Sequence, residues 1–559
     1  MSTEAAASAM GRESAWRPSP AARLSGWRLA TFLVAALILV PIGIVFSAFL
    51  SPASDVWDHL VATTLPRLLI NTFWLVLGVG AGAALLGVTL AWLTAVCEFP
   101  GHRIFSWALL LPLAIPAYVT AFVVISLFDF TGPVQTWLRS ILPPAWFWFP
   151  PVRGRLGVTL VMVLAFYPYV YLLARNAFMS QGKRTLEAAQ SLRLNRVQGF
   201  FRVALPMARP WIASGAMLAL METLADFGTV AVFNYDTFTT AIYKAWFGLF
   251  SLPAASQLAS LLVLIAFVLL LGEQQSRSRR RFAETRPGVR TERIRLQGHR
   301  RWLAFSLAAL VLFAGFLLPL GQLLLWAAAL VAQEFDKRYL EFLWHSLFLS
   351  ATAALLTGAT ALMLAYASRL HQDTATRLAV RIATLGYALP GAVLAVGIFI
   401  PVIWLDNWLT GLARRFVDLE TGWLVQGTLV AMLVAYVARF LAVGHGPIDS
   451  AMHRITRSID EAARSLGVSG AAMLRRVHIP MLRGGLLTAL ALVFVDVMKE
   501  MPITLMMRPF GWETLAVRIF ELTSEGEWER AALPAVTLVA AGLIPIILLL
   551  RPTDQGSKE

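Results

Sequence analysis

Twelve apolar runs of about 20 residues alternate with polar segments along this chain, each long enough to cross the hydrocarbon core of a bilayer as a helix. In the first half they lie at 27–50, 68–96, 104–129, 156–180, 211–234 and 254–272. In the second half they lie at 302–332, 342–368, 379–405, 423–445, 483–507 and 531–551. Pro41, Pro112, Pro116, Pro168 and Pro390 fall inside these runs, where neighbouring helices can tolerate them and kinks are expected. The run at 27–50 is too long for the apolar stretch of a cleaved signal and lacks a small-residue cleavage site, so it reads as a retained span. The pattern predicts an all-α integral membrane protein.

The polar segments add a second pattern. EAAQSLRLNRVQGFFRVALP at 187–206 returns as EAARSLGVSGAAMLRRVHIP at 461–480, an ungapped offset of 274 residues. A period near half the chain length means two related halves, not a solenoid of short units. Six spans precede the polar stretch 273–301 and six follow it, so the halves share one orientation and form a parallel repeat about an axis near the membrane normal. The expected division is a tail at 1–26, a first half at 27–272 with its loop at 181–210, a basic linker at 273–301, a second half at 302–551 with its loop at 446–482, and a tail at 552–559. The linker contains Pro287-Gly288 and no apolar periodicity, and reads as flexible.

Composition agrees with the membrane reading. The chain is 58% hydrophobic and 14% charged, against about 45–50% and about 25% in soluble domains. Nineteen Trp and 34 Phe suit interfacial aromatic belts. The formal charge of +15 comes from arginines at the ends of apolar runs, which fits cytoplasmic loops better than a nucleic-acid surface. Arg12, Arg17, Arg23 and Arg28, ten arginines in 273–301, and the basic residues of both repeated loops all fall on one side of a twelve-span arrangement. The segment 513–530 on the opposite side is acid-rich. Both loops and both termini are therefore expected in the cytoplasm. The single Cys97 excludes an intrachain disulfide and a thiolate metal cluster.

Each loop reads as a short helix, a turn and a second short amphipathic helix. Glu187-Ala188-Ala189 and Glu461-Ala462-Ala463 are good helix formers with Glu where the dipole favours it. Gly467 and Gly470 allow a left-handed turn, and Pro206 and Pro480 end or kink the second helix. A compact unit of this kind suits a groove on another protein.

These segments resemble the EAA loop of permease subunits of bacterial ABC importers, whose motif runs EAA, three residues, Gly, and later a Pro-ended hydrophobic segment. The resemblance covers both halves and implies the type I importer permease fold, with the loop as the coupling helix that docks on the ATPase subunit. It would make Glu187, Ala188, Ala189, Arg193, Pro206, Glu461, Ala462, Ala463, Gly467 and Pro480 the coupling residues. Arg193 stands where the motif has Gly, so either Asn195 takes over the turn or the first loop has a different shape. METLADFGTVAVFNYDTFTTAIYKAWFG at 221–248 and DVMKEMPITLMMRPFGWETLAVRIFEL at 496–522 are similar to the fused two-half permeases of the ferric-iron importers. Permeases for thiamine, polyamines, phosphonates and sulfate share parts of these stretches.

Glu222 and Asp226 are four residues apart on one helical face, and the same offset of 274 leads to Asp496 and Glu500. Carboxylates within spans are costly and face a bundle interior or a water-filled cavity. Two readings stand: a pseudo-symmetric acidic lining of a cation path, since hard cations prefer carboxylate oxygen, or ion pairs that hold helices together. In the second reading Lys499 would neutralise Asp496 or Glu500, with Arg508 or Lys244 reaching the others.

No G-x-x-x-x-G-K-[ST] phosphate loop, H-E-x-x-H or G-x-S-x-G occurs. The chain therefore reads as a non-catalytic permease subunit in the bacterial cytoplasmic membrane that binds no cofactor, with ATP on a partner. Its expected partners are two copies of an ABC ATPase subunit and a periplasmic or lipid-anchored substrate-binding protein, but not nucleic acid. The binding protein would meet the outer loops 508–530 and 130–155, whose Arg139, Arg153 and Arg155 could face its acidic residues. Ferric iron is the favoured cargo; a secondary transporter driven by an ion gradient is the rival from another class.

Overall fold

The computed structural model describes residues 26–50, 55–143, 148–191, 193–278, 293–416 and 424–550. The tail at 552–559, nearly all of 1–26 and the linker residues 279–292 lie outside the described residues.

Among the described residues, eleven helices are long and apolar enough to span a membrane, and a further apolar helix runs Ala532–Leu550. Leu85, Leu156 and Leu355 project from three of them with more than half of their surface exposed. An apolar exterior of this extent belongs in lipid. In the interior, Gly78 and Gly82 of Leu65–Val96 leave room for Thr159 and Val163 of Arg155–Ser191, where an added Cβ would lie 2.9 and 2.5 Å from side-chain carbons. Small residues of this kind let membrane helices approach closely.

Four of the predicted runs are broken rather than continuous. The run at 104–129 divides at Pro112 and Pro116 into His102–Ala108, a 3-10 turn Leu111–Ala114 and Ala117–Phe128. The run at 379–405 divides in the same way near Pro390, into Thr374–Ala383, Thr384–Ala388 and Gly391–Phe416. The run at 211–234 stops with Leu205–Ala225 and restarts as Gly228–Val232. Its counterpart at 483–507 stops with Ile479–Met498 and restarts as Pro502–Met507. Unpaired backbone at membrane depth survives only where protein surrounds it or where it lines a cavity.

The sequence halves do not occupy separate halves of space. Gly26–Ser47 packs on Thr374–Ala383 and Gly391–Phe416, whereas Leu318–Glu334 packs on Ala117–Phe128. Each half thus lays its first span across the other, and two of the three hydrophobic clusters draw on both halves. The described end of the linker is tied to the first half. Ile294–Arg295 pairs in parallel with Cys97–Glu98, and Arg295 forms an ion pair with Glu98 at 3.1 Å.

Candidate functional site

The four helix breaks meet at a cavity of about 140 Å³ between the halves. Its lining includes Pro116, Ala117 and Tyr118 from the first break, Glu222, Asp226, Phe227 and Gly228 from the second, Tyr387 from the third, and Asp496, Lys499, Glu500 and Met501 from the fourth. All four carboxylates singled out from sequence therefore reach one space. With about 1.5 Å of rise per residue, Glu222 stands roughly 24 Å along its helix from Pro206 of the loop, well into membrane depth.

The carboxylates are held in two ways. Asp226 accepts from the backbone N–H of Thr229 at 2.9 Å and Val230 at 3.2 Å, and from the Thr229 hydroxyl at 2.8 Å. Glu500 likewise accepts from the N–H of Ile503 at 3.1 Å and Thr504 at 3.3 Å. Each carboxylate caps the short helix that restarts beyond it, which is why the chain can break there. Glu222 instead accepts from the Tyr387 hydroxyl at 2.7 Å, a bond that joins the halves. Asp496 pairs with the Lys499 ammonium at 2.9 Å.

Of the three cations expected near these carboxylates, only Lys499 arrives. Arg508 pairs with Glu521 at 2.8 Å and Lys244 with Asp236 at 2.6 Å, and neither lines the cavity. The outer-loop arginines are also engaged within the chain: Arg153 with Asp129 at 2.7 Å, Arg139 with the Phe130 carbonyl and ring, and Arg155 over Trp74. Tyr118, Tyr169, Tyr387 and Arg439 complete the polar lining and were not foreseen. One signal was available, since each tyrosine lies within three residues of a span proline: Pro116, Pro168 and Pro390.

The second feature is the pair of loops. Glu187, Ala188 and Ala189 lie in the unbroken helix Arg155–Ser191. Glu461, Ala462 and Ala463 form a separate helix, Arg457–Ser465, after a break that follows Leu429–His453. Ala463 is buried, Glu461 and Ala462 are exposed, and Leu466 at the tip is 82% exposed. Gly467 has φ 79° and Arg193 has φ 59°. Of the two alternatives for the first loop, the different shape is observed, since its EAA segment continues the preceding span, while the left-handed turn is taken by Arg193 itself rather than Asn195, at a cost on the order of 1 kcal/mol. Asn195 serves the next helix instead, accepting from the Gln198 N–H at 2.7 Å while its own N–H donates to the Gln198 side chain at 3.1 Å. Pro206 and Pro480 each sit in the first turn of the following span. Both loops carry a π-turn at the same register, Phe200–Ala204 and Leu474–His478.

A polar clamp holds the second loop. The Arg369 guanidinium donates to the carbonyls of Met452 at 3.1 Å, Ile455 at 2.9 Å and Thr456 at 3.3 Å, and pairs with Asp460 at 2.8 Å. His478 approaches the other Asp460 oxygen at 2.8 Å. Burial alone would raise the Asp460 carboxyl, but hydrogen bonds from His478 and Arg369, with the guanidinium charge, hold it below the ordinary carboxylate value. At the same offset the first half has Ala95, Leu186 and Ala204. There Trp92 packs edge-on against Phe178 at 5.2 Å and Phe200 at 4.6 Å.

Residues 83–282 and 359–552 match the family model for binding-protein-dependent transport system inner membrane components. The chain is 27% identical over 528 residues to the Fe(3+)-transport system permease protein FbpB 2 of Haemophilus influenzae, spanning 92% of this chain and 97% of that protein. It is 23% identical to the ferric transport system permease protein FbpB of Actinobacillus pleuropneumoniae, over 80% of this chain and 64% of that one. A probable sulfate transport system permease protein, cysT of Nephroselmis olivacea, is 26% identical over 44% of this chain and 88% of its own length.

Proposed function

The chain belongs to the binding-protein-dependent transport system inner membrane components, the permeases of ABC importers, and from that premise we propose that it carries ferric iron through the cavity between its halves. The cavity supports this reading: four carboxylates against Lys499 and Arg439 leave a formal surplus of two negative charges. Such a lining attracts a hard cation and repels sulfate or a phosphonate. Two relatives named for ferric transport match most of the chain, whereas the sulfate relative matches less than half.

Two copies of a separate ATPase subunit would dock on the loops around Glu187 and Glu461, from the cytoplasmic side, where both termini would also lie. This chain would bind no cofactor, and ATP would be hydrolysed on the partner. Closure of the ATPases would move Arg155–Ser191 directly and Ile479–Met498 through the clamp, altering access to the cavity by a two-state shift. A binding protein would deliver iron to the outer face, where Phe130, Trp137, Trp148 and Phe510 are exposed.

The test is uptake into proteoliposomes containing the complete complex. Radiolabelled ferric iron should accumulate with ATP and the binding protein, and sulfate should not. Sulfate uptake would overturn the cargo, and iron uptake that persists without the ATPase would favour a gradient-driven carrier.

A further inference from the structure

The end of the bundle that carries the repeated loops also holds a cluster of guanidinium groups, away from the cavity. Arg175 lies on Arg155–Ser191, about 18 Å along the helix before Glu187. Arg103 is the second residue of His102–Ala108, and Arg293 precedes the strand Ile294–Arg295. Three contacts bring these segments together. The Tyr171 hydroxyl, one turn before Arg175, donates to the Ser106 carbonyl at 3.0 Å. Ile294–Arg295 pairs with Cys97–Glu98, and Phe105 meets Phe305 of His299–Leu312 edge-on at 5.6 Å. The cluster is short of negative charge. Burial and the charges of Arg175 and Arg103 hold the Arg293 guanidinium below its ordinary pKa, and Glu98, which opposes them, is already paired with Arg295. The Arg175 Nε is buried and has no hydrogen-bond partner. The linker residues 279–292 add five arginines against Glu284 and Glu292, so the chain brings no surplus of acid to this place. In the second half the offset of 274 puts Arg377 and Asp449 at the positions of Arg103 and Arg175, one charge of each sign.

We propose that Arg103, Arg175 and Arg293 bind the phosphate of an anionic phospholipid at the edge of the bilayer, on the first half only. A guanidinium offers phosphate two parallel N–H donors, so three of them can satisfy one headgroup. Basic pockets between membrane helices at the cytoplasmic boundary are suited to such headgroups. The surroundings favour a lipid over free phosphate. The apolar spans Arg155–Ser180 and His299–Glu334 both have an end here. Beside the cluster, Ile104, Trp107, Trp302 and Leu303 expose apolar surface that acyl chains would cover and a small anion would leave bare. A bound headgroup would join the start of the second half to the first without any change in covalent bonding.

The site can be tested by melting the full chain in a neutral detergent while short-chain phosphatidylglycerol, phosphatidylcholine of the same chain length, or inorganic phosphate is added. Phosphatidylglycerol should raise the wild-type melting temperature saturably by several degrees, and the other two should not. Arg175→Gln and Arg293→Gln should each move the phosphatidylglycerol midpoint about tenfold higher. Without lipid, both variants should melt no lower than wild type, because each relieves repulsion between like charges. Arg293→Lys, which keeps the charge and loses the two-pronged contact, should fall between wild type and Arg293→Gln. Arg377→Gln in the second half should leave the response unchanged. An equal rise with phosphatidylcholine, or an unshifted midpoint in both Arg175→Gln and Arg293→Gln, would overturn the proposal. A rise with inorganic phosphate equal to that with phosphatidylglycerol would overturn the lipid as its ligand.

Discussion

At the second loop, Arg369 grips three carbonyls and Asp460, which His478 holds from the other side. At the first loop the same register offers Ala95, Leu186 and Ala204, and three aromatic rings do the anchoring. Charge-assisted hydrogen bonds are short and directional, so they fix an angle. Ring packing fixes a distance and tolerates sliding. The loops therefore share a motif and a turn but differ in stiffness, and a push on the second should reach the spans with less loss.

Breaking the clamp should have the largest effect. Arg369→Ala leaves Asp460 mostly buried without its charge partner, at about 3 kcal/mol. The purified chain should melt earlier, and ATP-driven uptake by the reconstituted complex should fall more than its ATP hydrolysis. Parallel losses of both would mean that the clamp only supports the fold. Trp92→Ala should cost less, about 2 kcal/mol for a partly buried ring. Uptake and hydrolysis should then fall together, since helix Arg155–Ser191 still runs unbroken into its loop.

Exchanging the turn residues sharpens the comparison further. Gly467→Arg puts a side chain on a left-handed turn and should lower stability by about 1 kcal/mol. Arg193→Gly relieves the same strain and should raise it by less, because glycine loses more freedom on folding. Equal melting temperatures for both variants and wild type would show that neither turn is conformationally demanding.

Acid provides the mildest probe. Asp460 is held below its ordinary value, so its contribution is complete above the unfolded value of about 3.9 and is lost as pH falls through the folded one. Amide protection factors in Arg457–Ser465 should hold from pH 7 to about 5 and drop below about 4. In Asp460→Asn they should be lower throughout and lack that drop. The first loop, with Leu186 at this place, should show no counterpart.

Much of this was legible in the sequence. Spans are visible because lipid demands about 20 consecutive apolar residues, and the repeated loops because they are polar interruptions in register. The four carboxylates of the cavity could be listed for the same reason, since charge inside an apolar run is conspicuous. The helix breaks at Asp226 and Lys499 were not visible, because hydropathy registers that a carboxylate is present and not that it caps the next helix. Lys499 pairs with Asp496, one of the two carboxylates that its position in the chain allows. Arg508 and Lys244 pair instead with Glu521 and Asp236, partners that sequence spacing does not single out.

Sequence alone determined a repeated set of apolar spans with two matched loops and two matched acidic pairs, since each follows from local polarity and spacing. Tertiary structure alone decided which acid of each pair is tied to backbone and which to a movable side chain. It alone also crossed the first spans between halves, joined Tyr387 to Glu222 across 165 residues, and brought Arg369 to Asp460. The physical reason is range: burial preference is a property of one residue and its neighbours, whereas a hydrogen bond needs two groups placed to within a few tenths of an ångström by the whole fold.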